Sequence, residues 1–219
     1  MTTFPGSPKV LKGGLVLIDA DTGQVQRIIS LQYNPDSVTR TLQVQAAGAE
    51  AGQRSEPLRF KGPAVETIKL DAEIDATDQL EFPDSHANAV AFGIAPQLAQ
   101  LEALVNPSVD ELQAVAAASA NGTLEVLPPE APLSLFVWSK NRVVPVRVTE
   151  FSITEEAFDP ALNPIRAKVS LGMRVMTTDD LGFTHKGGTI FMSYLRAREA
   201  LAKKSGAASL ASLGISNIP

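Results

Sequence analysis

Two adjacent glutamates, Glu155-Glu156, with Asp159 close behind, are the nearest approach to acid–base machinery in this 219-residue chain. Paired carboxylates hydrolyse glycosides only when they face each other across the bond at a set separation. No facing carboxylate can be assigned here, so the three read as the solvated tip of a hairpin. The two histidines, His86 and His185, lie far apart in loop-like sequence without a second histidine or carboxylate at ligand spacing, which argues against metal binding. Asp19-Ala-Asp21-Thr-Gly23 opens like a calcium loop, but Ser30 stands at its twelfth position, where the bidentate glutamate belongs, and the glycine comes early. A hairpin turn is the better reading. No serine occupies a G-x-S-x-G elbow, and Gly187-Gly188 is not a phosphate loop. With no cysteine, thiolate nucleophiles, disulfides and zinc–thiolate sites are excluded. The single tryptophan, Trp138, sits in an apolar strand and is expected to be packed. The expectation is a protein that is not an enzyme and has no catalytic, cofactor-binding or metal site.

Composition narrows the class further. A hydrophobic fraction of 44% and a charged fraction of 20% are globular values, and no apolar run approaches a membrane span. The net charge of −5 and the 5% aromatic content oppose nucleic-acid binding, which needs clustered cations and stacking platforms. The first residues lack the basic and apolar regions of a signal peptide, so synthesis in the cytoplasm is expected.

The elements that would have to position a site are mostly strands. Residues 1–13 read as an extended arm. Gly14 to Asp19 and Gln24 to Tyr33 form a hairpin, and a third strand runs to about Gln45. A loop follows from Ala46 to Glu56, then strand segments near Leu58 to Phe60 and from Thr67 to Asp75. Two short helices are expected, at Pro96 to Val105 and from the capping box Ser108/Glu111 toward Ser119. Asn121-Gly122 is a turn and Pro128-Pro129 a stiff link. Pro132 to Ser139 has the apolar density of a strand buried on both faces. Val143 to Ile153 is another strand, with Pro145 at a bulge or edge, and Ile165 to Val175 alternates without a break.

Three features stand out as structural devices. Asn34-Pro35-Asp36-Ser37 interrupts alternating sequence as a corner: asparagine can close an Asx turn, proline presets φ, and Asp36 and Ser37 can bond nearby backbone. Ile29, Leu31 and Tyr33 share one face before it, and Val38, Leu42 and Val44 share one after it. The two most regular strands carry opposite charge on their polar faces, Asp71 and Glu73 on one and Arg166, Lys168 and Arg174 on the other. That pattern suits pairing between strands or between subunits. Finally, Gly187-Gly188 reads as a hinge before an amphipathic helix, Thr189 to Lys204, whose stripe includes Phe191, Tyr194 and Leu195 and is expected to dock on a neighbouring component.

The order of these segments carries a resemblance. A strand ending in Asp-x-x-x-Gly, the Asn34–Ser37 corner, Phe60-Lys-Gly62, Phe136-Val-Trp138 and the final alternating strand together resemble the tube-like domain of baseplate proteins from bacterial contractile injection systems. The likeness spans roughly Gly14 to Thr178. It implies a mainly β (α+β) fold, an antiparallel β-barrel or sandwich of the tail-tube type over residues 14–180, with one or two short helices and a C-terminal helix and tail in 181–219. It also implies a structural adaptor: a six-fold homo-oligomeric ring that joins a trimeric spike or hub to the inner tube, contacts baseplate wedge proteins and initiates tube assembly. Such a protein would assemble in the bacterial cytoplasm into a phage-tail-like particle. Many relatives carry a C-terminal LysM domain, and residues 181–219 do not match one. The alternatives are a main inner-tube subunit or, in another class, a β-barrel that binds a small ligand in its mouth.

Overall fold

The computed structural model describes residues 10–46, 59–120, 131–206 and 209–218. Seven strands, β1 (Gly14–Ile18), β2 (Val25–Ser30), β3 (Val38–Gln43), β4 (Val65–Asp75), β5 (Leu133–Ser139), β6 (Arg142–Phe158) and β7 (Pro164–Val175), form one antiparallel sheet in the order β2-β1-β5-β6-β7-β4-β3. Alternation explains the central pair. Ile68, Leu70, Ala72 and Ile74 of β4 are buried beside Ala167, Val169, Leu171 and Met173 of β7, whereas Lys69, Asp71 and Glu73 stay in solvent. A slip of one residue would turn every one of these apolar side chains outward.

The sheet has to curl. β2 and β3 lie at its opposite edges, yet they are joined by residues 31–37 alone, a segment that can reach at most about 25 Å. Among the described residues no ladder joins the two edges; side-chain bonds hold the gap. Gln32 donates from Nε2 to the Asp75 carbonyl (2.6 Å) and accepts the Asp75 amide on Oε1 (3.0 Å), so its amide imitates one rung of a strand. The mainly β (α+β) fold expected from the sequence, an antiparallel sheet with short helices and a C-terminal helix, is the one the structure has, here as a curled seven-stranded sheet.

The apolar density of β5 has the anticipated consequence. Phe136 joins the main core, while Leu133 and Leu135 pack with Ile18 in a second cluster on the other face. Pro145 sits in β6 between β5 and β7, where a missing N–H is costly. Its carbonyl accepts from Met176 on the β7 side, and the β6–β7 ladder begins only at Val146 with Val175. The proline ring therefore lies just past the end of that ladder, an edge position inside a central strand.

Helices close the structure. α1 (Thr77–Leu80), a 3-10 turn at Pro83–Ser85, α2 (Ala87–Phe92), α3 (Ala95–Glu102) and α4 (Val109–Ala120) occupy the β4–β5 connection, more helix than the sequence periodicity suggested. α3 drives Ile94, Leu98 and Leu101 into the core. The Ser108/Glu111 capping box forms as expected, with the carboxylate bonded to the Ser108 amide and hydroxyl. α5 (Thr178–Leu181) and α6 (Lys186–Ala202) follow β7. The turn at Asn121-Gly122 and the Pro128-Pro129 link, most of the arm, and the loop and strand start at 47–58 lie outside the described residues.

α6 departs from its anticipated form. It begins at Lys186, so Gly187 and Gly188 are helical and buried, not a hinge. Their role is close approach: a Cβ at Gly188 would stand 1.9 Å from the Gly182 carbonyl oxygen, and one at Gly187 2.4 Å from Leu181 Cδ1. Phe191 and Tyr194 enter the same core as the strands, and Leu195 packs against it. This corrects the expectation that Phe191 and Tyr194 present a docking stripe, because the subunit's own core already takes them.

Candidate functional site

The residues that could do chemistry are spent on structure. Asp19 Oδ1 accepts from the Asp21 amide and from the amide and hydroxyl of Thr22, closing the β1–β2 turn. Those bonds, led by the Thr22 amide, hold its carboxyl below the usual range. Asp159 knots the β6–β7 tip: its carboxylate accepts from the amides of Ala161 and Asn163 and from Asn163 Nδ2. His185 Nδ1 accepts the Gly187 amide as the cap of α6, and His86 precedes α2 in an exposed turn. Glu156 pairs with Lys168 at 3.1 Å, and Glu155 is exposed. Among the described residues no group of three His, Asp or Glu side chains could hold a metal ion, and no helix is long and apolar enough to cross a membrane.

The corner is built differently from a simple Asx turn. Asn34 Oδ1 accepts the Gly13 amide at 2.9 Å and its Nδ2 donates to the Leu11 carbonyl at 2.8 Å. The side chain therefore ties the corner to the segment entering β1, on the side of β2 that β1 already pairs. Ile29 and Leu31 are buried as the pattern required, whereas Tyr33, Leu42 and Val44 are largely exposed. Asp36 and Ser37 show no side-chain bond among the described residues, and Pro35 contributes its fixed φ.

The two charged faces do meet, and within one subunit. β4 and β7 are direct neighbours, placing Asp75 opposite Arg166, Glu73 opposite Lys168 and Asp71 opposite Ser170. Only some of these become bonds. Arg166 Nε reaches Asp75 at 2.7 Å, and Asp71 accepts from Ser170 Oγ, but Lys168 turns to Glu156 of β6 and leaves Glu73 to solvent. Burial pushes the Asp75 carboxyl up, yet bonds from Thr77 and Arg166 outweigh it and hold the group below its ordinary value. Arg174 is opposite Thr67 and bonds Asp180 at 2.7 Å; the same carboxylate closes a capping box with Thr177 at the start of α5. One more pair spans three strands. Lys69 of β4 and Glu150 of β6 bond at 2.6 Å across Gly172 of β7, and a Cβ there would press on Glu150 at 2.9 Å. Exposed pairs of this kind contribute about 0–1 kcal/mol each, enough to favour one register and too little to hold a fold.

Sequence reasoning missed a buried ionic cluster. Glu66 is 3% exposed on the inward face of β4. It bonds Arg40 Nε of β3, accepts from the Tyr194 hydroxyl of α6 at 3.2 Å, and has Arg198 Nη1 at 3.5 Å. Arg40 Nη2 also donates to the Tyr194 oxygen at 2.9 Å, and the Arg198 guanidinium lies over the Tyr194 ring. Two cations and a hydroxyl thus satisfy one buried carboxylate and bolt α6 to β3 and β4. The bond to Glu66 holds the Arg40 guanidinium above its usual range, and burial followed by the Glu66 charge raises the Tyr194 phenol. The signal was available: in VETIKL, Glu66 is in phase with Ile68 and Leu70, so a charge occupies an inward slot.

What this arrangement can do is hold shape and present edges. β2 and β3 each leave one side of a strand unpaired within the described chain, and Val25 and Ile28 of β2 are exposed. No curated protein matches the sequence. Among solved structures, the tail of an empty GTA particle, refined helically with C6 symmetry, is 11% identical, with a TM-score of 0.27, covering 74% of this chain and 90% of that one. A chain from the virion of a native gene transfer agent particle gives the same identity, TM-score and coverages. The sequence match is the finding that assigns the chain: residues 17–182 match the family model described as contractile injection system tube protein. The open curled sheet and its register-setting charges therefore belong to a member of the contractile injection system tube protein family.

Proposed function

We propose that the chain is the baseplate adaptor of a phage-tail-like particle, forming a ring that joins the spike or hub to the inner tube and starts tube assembly. The observation that carries this reading is the segment beyond the family match. The match ends at residue 182, but α6 continues to Ala202, is bolted into the core through Tyr194 and Glu66, and exposes a basic final stretch, Arg196, Lys203 and Lys204. An adaptor between unlike partners needs surface that stacking of identical rings does not use, and this helix supplies it. In this reading the ring is six-fold, the hub is trimeric, wedge proteins meet the outside, and assembly takes place in the bacterial cytoplasm. The domain division follows the same logic, with 14–180 as the ring-forming unit and the rest as attachment.

The second reading, a main inner-tube subunit, is favoured by the family's own description as a tube protein. Copy number separates the two. Quantitative mass spectrometry and cryo-electron microscopy of purified particles should find one ring of this chain at the tube base. Many stacked rings along the particle would overturn the adaptor reading and establish the tube reading.

A further inference from the structure

The far end of the β6–β7 hairpin is an apolar knob held in a strained form. Beyond Val146 β6 has no ladder with β5, and β4 reaches along β7 only to Arg166, so residues 157–164 project past both neighbouring strands. Within this projection the Leu162 amide bonds the Asp159 carbonyl and closes a turn, with Leu162 at φ +65° and 78% exposed. The left-handed position that ends such a hairpin turn normally takes glycine, because a bulky L side chain is strained there. Strain kept at an exposed position, where no packing within the subunit offsets it, points to a role outside the subunit. The bonds from Ala161 and Asn163 to the Asp159 carboxylate hold the loop in this one shape.

The knob is extended by α2. Asn163 Nδ2 reaches the Ala91 carbonyl, the Ile94 amide donates to the Pro164 carbonyl, and a Cβ at Gly93 would stand 2.1 Å from that same oxygen. These contacts bring Phe92 (54% exposed) to the same end of the sheet as Phe158 (50%) and Leu162. The margin of this apolar end carries one sign of charge. No Lys or Arg occurs from Leu70 to Ser139 or from Val148 to Ile165. Glu81, Asp84 and Glu155 are exposed and make no ion pair among the described residues, whereas the cations next in sequence, Arg166 and Lys168, are taken by Asp75 and Glu156.

We infer that this end is the docking knob for an unlike component of the particle, a protein whose apolar socket is edged with Lys or Arg. The inference rests on the adaptor reading and assigns one of its contacts. Leu162 and Phe158 fill the socket as preorganised anchors, and the acids set partner choice. The basic end of α6 suits a partner of the opposite charge, so two surfaces of opposite sign let one adaptor tell two unlike partners apart.

The test uses the full-length chain in assembled particles. With the photo-reactive residue p-benzoylphenylalanine in place of Leu162, irradiation and sequencing of the linked peptides should identify one chain other than this one, at a segment that holds Lys or Arg. Leu162→Gly removes the knob and releases the left-handed strain. It should raise the Tm of the purified chain by about 2–4 °C while lowering its copy number per particle about tenfold. Glu81→Lys with Asp84→Lys should lower the copy number while leaving the Tm within about 2 °C of the native value. Links to another copy of this chain, links to a segment without cations, no link at all, or a native copy number for Leu162→Gly would overturn the inference. If the native chain still forms one ring at the tube base in those cases, the adaptor reading stands without this contact. If the native chain does not enter particles, the adaptor reading fails and the inference with it.

Discussion

Replacing Arg40 should cost more than its position on an edge strand suggests, because it leaves the Glu66 carboxylate in a nearly closed site. Breaking a buried pair by removing one partner costs roughly 3–5 kcal/mol. Arg198 at 3.5 Å and the Tyr194 hydroxyl remain to Glu66, so Arg40→Met should fall at the lower end, about 3 kcal/mol, which for a chain of this size is a fall in Tm of about 6–12 °C. Glu66→Leu should cost less, about 1 kcal/mol, since the Arg40 side chain is 22% exposed and can turn to water. The double replacement removes both charges and fills the space with apolar atoms, which in buried pairs is often neutral. It should therefore cost about 1 kcal/mol, far short of the additive sum of about 4 kcal/mol. Urea unfolding followed by fluorescence of the single tryptophan, Trp138, stacked on Phe136 in the core region, gives all four corners of the cycle. Additivity within about 0.5 kcal/mol would refute the claim that Arg40 and Glu66 act as one buried pair.

Gly188→Ala separates a hinge from a packed helix: a hinge would gain up to about 1 kcal/mol from the better helix former, whereas overlap with the Gly182 carbonyl should cost about 1–3 kcal/mol by thermal unfolding. Asn34→Ala should lower stability by about 1–2 kcal/mol through its two lost bonds to residues 11 and 13, while Pro35→Ala should change it by less than about 1 kcal/mol; equal effects would mean that turn chemistry matters more than the tie. At alkaline pH the raised Tyr194 phenol contributes stability that is complete below about pH 10 and is lost as pH climbs through its folded value. Tyr194→Phe should flatten that part of a pH titration of unfolding, leaving only the share of the other tyrosine, Tyr33. At the acid end, the depressed carboxyls of Asp75 and Asp180 contribute stability complete above about pH 4 and lost as pH falls below it. Asp75→Asn should reduce the acid dependence measured by the same titration.

Much of the sheet was legible because it obeys a local rule. Period-two alternation in β4 and β7 identifies both strands and their inward faces, and opposite charge on the outward faces is explained by their being neighbours. The sequence could not choose between pairing inside a subunit and pairing across a ring, since alternation specifies a face and not a partner. The α1–α2 region was missed for a related reason. Between Thr77 and Phe92 only Ala89 is buried within the helices, so there is no apolar stripe for periodicity to detect.

α6 shows where local rules mislead. Gly187-Gly188 has the composition of a hinge, and nothing nearby in sequence contradicts that. Its meaning depends on a carbonyl at Gly182 and a leucine at 181, brought close by the turn of α5 into α6. Likewise Tyr194 looks like a member of an exposed stripe until Glu66, 128 residues earlier, is seen to need a donor. The discrepancy was written in β4 and not in α6: a glutamate in phase with isoleucine and leucine is either an error of register or a buried charge awaiting partners. The nine-residue ladder between β4 and β7 excludes a slip, so partners had to exist. The elements that supply them are the neighbouring edge strand β3 and a helix returning over it. Read that way, a buried acid in an otherwise apolar face predicts a returning helix with a phenol or a cation on its inner side, and α6 carries both.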